Sequence, residues 1–154
     1  MSDPTATDCS IVTVARQCTA VVKGAVPFAE FPQAQRSARA KVAAALPLLL
    51  VAPHGLACTR IGSPSGGKLY MEIGVMVARS FEPLGDVVPS ELPAGRAAHY
   101  RMVGPFEGLP EAWPFLVNWC QGQGLKLAGI NWEIYGQTAA DPAKQETFLY
   151  ALLA

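Results

Sequence analysis

The sequence predicts an α+β fold: two β-α-β-β modules, related by an approximate two-fold axis, sharing one mostly antiparallel sheet. Two helices would lie on one face of that sheet, with a central groove between them. Three observations carry this expectation. A motif near Pro27 recurs near Pro105, each copy leads from an apolar strand into a proline-opened helix, and two strand-like runs follow each helix.

PFAEFPQA begins at Pro27 and PFEGLPEA at Pro105. At one constant offset, Pro27 matches Pro105, Phe28 matches Phe106, Phe31 matches Leu109, Pro32 matches Pro110 and Ala34 matches Ala112. Ahead of the motifs stand CTAVVKG (18–24) and AAHYRMVG (97–104), whose β-branched and aromatic residues read as strands. SIVTVA (10–15) supplies an extra strand before the first of these. DVVPSELP (86–93) leads into the second copy and is expected to pair with the strand after it.

Pro32 and Pro110 stand where a helix opens, because the missing N–H is unneeded in a first turn. In the second copy a helix over about 110–120 puts Trp113, Leu116, Val117 and Cys120 on one face. Trp119 falls off that stripe and reads as a flank or surface residue. Gly122 and Gly124 end the helix, and Pro114 bends its start at most. The first copy places Ala34, Ala38, Val42 and Ala45 on the corresponding face. Two strands follow each helix: GLACTRIG (55–62) and KLYMEIGVMVA (68–78) around an SPSGG turn, then NWEIYG (131–136) and QETFLYALLA (145–154) around a polar loop. Residues 1–8 read as a flexible tail. A single domain then spans 9–154, module one over about 9–80 and module two over about 85–154.

Composition narrows the function. The chain has 154 residues, 51% hydrophobic and 16% charged, which suits a sizeable core and excludes disorder. Twelve basic residues balance twelve acidic ones, so no direct nucleic-acid partner is expected, and Arg36, Arg39 and Lys41 read as a solvated helix face. Cys9, Cys18, Cys58 and Cys120 form no CxxC pair, and Cys58 with His54 offers only two ligands, so neither a metal nor another cofactor is expected. Reduced thiols and the absence of a signal-peptide pattern at the start indicate a cytoplasmic protein. The most apolar run, VAAALPLLLVA (42–52), is too short to span a bilayer and is broken by Pro47, so no membrane partner is expected. Ser63-Pro64-Ser65-Gly66-Gly67 before Lys68 lacks the strand–loop–helix context of a phosphate loop.

Strand alternation turns Glu133 and Tyr135 to one face, and Trp132 and Ile134 to the other. It leaves two readings of Glu133: a solvated acid on a wet face, or a carboxylate lining a pocket beside a phenol. Trp113 reads as core or groove wall, two roles one indole can combine. Tyr70 and Glu72 form a second aromatic–acidic pair on the strand face opposite Leu69, Met71, Ile73 and Val75. Alternation does not say which side of the sheet that pair occupies.

LPAGR (92–96), HYRMVGPFEGLPEAW (99–113) and WEIY (132–135) together resemble the GyrI-like small-molecule-binding domain, the effector-binding fold of AraC-type and multidrug-responsive bacterial regulators. The resemblance runs over roughly 85–154, with a looser match around Pro27-Phe28. It implies two β-α-β-β modules about a central groove that takes lipophilic, often cationic organic molecules. Glu133 would be the counter-charge, with Tyr135, Trp113, Tyr70 and Glu72 as further ligand-binding candidates. Stand-alone relatives that hydrolyse cyclopropane-bearing electrophiles imply a second role, in which Glu133 and Tyr135 guide water onto a substrate. A gyrase-inhibitor-like interaction module is a third reading, with no partner identified. Whether the chain is an enzyme stays open.

Overall fold

In chain order the elements are β1 (Cys9–Val14), β2 (Gln17–Pro27), α1 (Phe31–Leu49), β3 (Pro53–Ile61), β4 (Lys68–Val77), β5 (Val87–Leu92), β6 (Gly95–Val103), α2 (Leu109–Gly122), β7 (Leu127–Tyr135) and β8 (Glu146–Leu153). They come from a computed structural model that describes residues 8–62 and 65–154. The tail expected over 1–8 (save Asp8), together with Ser63 and Pro64 of the SPSGG turn, lies outside the described residues. Among those described, no helix is long and apolar enough to cross a membrane.

The repeat is structural. Pro27 and Pro105 are both extended, with φ/ψ of −60°/150° and −67°/156°. Each leads into a single 3-10 turn, Phe28–Glu30 or Phe106–Gly108, which runs directly into α1 or α2. Extended proline before a helix is what the restricted φ of that residue allows.

All eight strands join one antiparallel sheet in the order β1-β6-β8-β7-β3-β4-β2-β5. Read inward from either edge, corresponding strands of the two modules meet in turn, so the approximate two-fold axis passes between β7 and β3. The modules exchange their outer strands. β5 pairs with β2, not with β6 as expected, while β1 pairs with β6. The reason is geometric: Pro93 and Ala94 carry the chain straight on from β5 to β6, and collinear strands cannot lie side by side.

One pairing register runs from Cys9↔Tyr100 to Val22↔Val87. The chain segment β1–β2 is thus paired along its length with β5–β6 as one long ribbon. Half of that ribbon closes each edge of the sheet, so the sheet must curl until its edges approach. Its inner, helix-free face is packed with Cys58, Leu92, Ala97 and Trp132, joined by Val12, Met76 and Ile134. Residues from both edge strands meet the centre there.

Both helices cover the outer face. α1 buries Ala38, Val42, Ala45 and Leu46 against Met71, Ile73 and Val77, with Ala34 half-buried at the rim. α2 buries Ala112, Leu116 and Cys120 against Tyr100, Met102 and Leu149. Trp119 packs half-buried against this second core, which fits the helix flank and not the surface position, the two places its position off the stripe allowed. Pro47 does not break the apolar run where expected. α1 continues to Leu49, and Leu50 caps it in the left-handed region at φ 54°. Burial of Val42, Ala45 and Leu46 holds that last turn against the proline's missing donor. Gly74 is required where β4 meets β2, since a Cβ there would lie 1.8 Å from the Ala20 carbonyl oxygen.

Candidate functional site

Glu133 lies on β7 opposite Thr59 of β3, at the innermost pair of the sheet and on its helix-covered face. It is 3% exposed. A carboxylate this dry needs hydrogen-bond donors. α2 turns Trp113 inward, and its indole N–H donates to Glu133 Oε2 at 2.6 Å. Tyr135, two residues along the same strand face, places its hydroxyl 2.6 Å from Glu133 Oε1.

The Tyr135 hydroxyl is also 2.8 Å from Thr59 Oγ1. A phenol has one proton, and the carboxylate is its stronger acceptor, so Thr59 donates back to the tyrosine oxygen. Gln35 of α1 donates from Nε2 to Thr59 Oγ1 at 3.2 Å, and Arg39 holds the Gln35 carbonyl oxygen with Nε and Nη2 at 3.2 and 3.0 Å. The relay therefore runs Arg39, Gln35, Thr59, Tyr135, Glu133, every donor aimed toward the acid. It ties α1 to the seam between the modules, as the Trp113 bond ties α2.

Burial raises the Glu133 carboxyl above its ordinary value; the bonds from Trp113 and Tyr135 and the nearby Arg39 charge oppose this without cancelling it. Tyr135 is pushed well above the normal phenol range, by burial first and then by the Glu133 charge. The Arg39 guanidinium carbon sits 4.8 Å from the centre of the Tyr135 ring, a cation–π contact. Phe106, 49% exposed, meets the same ring edge-on with centroids 5.9 Å apart.

Beside Arg39 opens a largely apolar cavity of about 600 Å³, walled by Val42, Leu46 and Pro47 of α1 and floored by Ala57 and Val75. That volume suits a drug-sized organic molecule. Arg39 belongs both to the cavity wall and to the relay ending at Glu133.

The structure brings Glu133, Tyr135 and Trp113 together and separates them from Tyr70 and Glu72. Leu69, Met71 and Ile73 face α1, so the even-numbered residues of β4 turn to the helix-free side. Tyr70 donates to Glu72 Oε2 at 3.1 Å, and Ser90 of β5 donates to Glu72 Oε1. These two candidates cannot act in the same groove, because the sheet lies between. Gln35, Thr59, Arg39 and Phe106 were not read as site residues. Only the i,i+4 spacing of Gln35 and Arg39 offered a local signal.

The GyrI-like small molecule binding domain family matches residues 7–151, and the chain belongs to that family. Among solved structures, the EcmrR C-terminal domain superposes with TM-score 0.77 at 16% identity, covering 95% of this chain and 96% of that one. SAV2435 bound to tetraphenylphosphonium gives TM-score 0.69 at 14% identity, covering 95% and 93%. A hydrolase encoded by lin2189 from Listeria innocua gives 0.61 at 16% identity, covering 96% and 92%. At these identities the likeness concerns the fold. No match is found among curated protein sequences.

Proposed function

We propose that this GyrI-like domain binds a lipophilic organic cation in the groove beside α1, with Glu133 as its counter-charge, and acts as a sensor, carrier or sequestering protein. The observation that supports this reading is one dry carboxylate, 3% exposed, held by Trp113 and Tyr135 and linked through Thr59, Gln35 and Arg39 to the wall of the apolar cavity. Both Glu133 oxygens already accept a strong bond, so a compact ammonium would have to compete with Trp113 and Tyr135. A diffuse charge on a large apolar body asks only for proximity and ring faces. At an effective dielectric near 20, opposite charges about 4 Å apart attract by about 4 kcal/mol before desolvation. Each ring face adds on the order of 1 kcal/mol. A structural neighbour is bound to tetraphenylphosphonium, a cation of this kind.

Calorimetric titration with tetraphenylphosphonium tests the reading. Saturable binding that falls at least tenfold in Glu133→Gln supports it. Equal binding by wild type and variant removes Glu133 from recognition.

A hydrolytic use of the same groove is favoured by one observation, the upward displacement of the Glu133 carboxyl, which brings a base toward working pH. Glu133 would take a proton from water as that water's oxygen bonds to a strained ring carbon. The ring C–C bond breaks and its electron pair stays on the departing carbon. The proton on Glu133, steadied by Tyr135, then passes to that carbon, a net addition of water. Turnover of a cyclopropane electrophile that vanishes in Glu133→Gln would establish this reading, and no turnover by wild type would dismiss it.

A further inference from the structure

The helix-free side carries a second cavity, of about 420 Å³, near the edge strand β5. Its lining is polar: Arg16, Lys23, Arg60, Glu72, Ser90 and Glu91 contribute to it. Register pairs Lys23 of β2 with Glu72 of β4, and Glu72 with Arg60 of β3, so two cations flank one buried acid on adjacent strands.

Cross-strand neighbours of opposite charge ordinarily pair. Here they do not. Glu72 takes its hydrogen bonds from Ser90 and Tyr70, and no ion pair joins it to Lys23 or Arg60. Of the five guanidinium N–H groups of Arg60, one is spent, from Nη1 on the Glu91 carbonyl oxygen at 2.9 Å. The Lys23 ammonium has three donors and no acceptor among the described residues. The Glu91 carboxylate is engaged by Arg16. The cavity is therefore rich in unspent donors and poor in unspent acceptors. With Arg16 and Glu91 cancelling, Lys23 and Arg60 outnumber Glu72 by one positive charge.

We propose that this cavity binds a small organic anion, its carboxylate or phosphate oxygens held between Arg60 and Lys23. Strand register places both cations beside the cavity, and the oxygens of Glu72 between them are turned aside by Ser90 and Tyr70. Arg60 supplies a planar fork suited to two oxygens at once, and Lys23 a mobile point charge at the rim. The ligand is opposite in charge to the one proposed for the Glu133 groove, and the sheet separates the two sites.

NMR amide-shift titrations with inorganic phosphate, acetate and succinate test this on the full chain at fixed ionic strength. At least one probe should saturate, with shifts concentrated on β2–β5. Lys23→Met, at an exposed position, should weaken that probe at least threefold, and Arg60→Met at least tenfold. Arg60→Lys should fall between Arg60→Met and wild type, and it keeps the test open if the methionine variant fails to fold. Glu133→Gln should leave the affinity unchanged. Phosphate as the tightest probe assigns phosphate esters, and succinate or acetate assigns carboxylates. No saturation with any probe, or saturation indifferent to Lys23→Met and to the folded Arg60 variant, overturns the site.

Discussion

The indole of Trp113 on α2 donates to the carboxylate of Glu133 on β7 at 2.6 Å. The bond joins a helix to the innermost strand pair, and the partly buried tryptophan packs on the second core while its N–H reaches the acid. Trp113→Phe keeps most of the ring and removes the donor, leaving Glu133 Oε2 unsatisfied. The expected cost is about 1–3 kcal/mol in urea unfolding. Wild-type stability in this variant would mean that water replaces the indole.

Glu133 should make stability and the proposed cation binding depend on pH in opposite directions. Its folded-state carboxyl is raised by burial, so between the unfolded and folded values the native state holds the extra proton. This contribution is fully present below the unfolded value and is lost as pH rises through the folded one. Affinity for a cation should instead rise over the same interval, as the charge appears. Unfolding and tetraphenylphosphonium titrations at stepped pH should show both trends, and Glu133→Gln should flatten both.

Arg39 occupies the ring face that a guest cation would use. Arg39→Gln should strengthen tetraphenylphosphonium binding severalfold, because no resident charge has to be displaced or opposed. Weaker binding would instead make the arginine part of the recognition surface.

Gly74→Ala should destabilise the domain by roughly 3 kcal/mol or more, since overpacking against rigid backbone costs at least as much as in a core. The new methyl group meets the Ala20 carbonyl oxygen, which cannot rotate away as a side chain could. A melting temperature within a degree of wild type would show that β2 yields.

All four thiols are free, and three are buried. Burial pushes Cys58 up to about 12 and Cys9 up to about 11, so neither forms thiolate at neutral pH. A thiol reagent at pH 8 should modify the half-buried Cys18 first, and Cys9, Cys58 and Cys120 only on unfolding. Mass-spectrometric mapping of labelled peptides checks the order.

Local grammar was legible in the residues themselves. The Pro-Phe motifs, the proline-opened helices and the β-branched runs act over a few positions, where backbone restriction and side-chain period dominate. The duplication from Pro27 to Pro105 therefore announced two modules, and alternation put Glu133 beside Tyr135. The GPFEGLPEAW stretch marked the family.

What tertiary structure alone decided is which distant surfaces meet. A period of two assigns Tyr70 and Glu72 to one face of β4 but never says which face the helices cover. The exchange of β1 and β5 between modules depends on two links that run straight, Ala15-Arg16 and Pro93-Ala94, and on a register held across both. Thr59, Gln35 and Arg39 join Glu133 only because β3 pairs with β7 and α1 lies over that seam. Such contacts bridge long separations in the chain, where the folded geometry selects the partner and local pattern carries no trace of it.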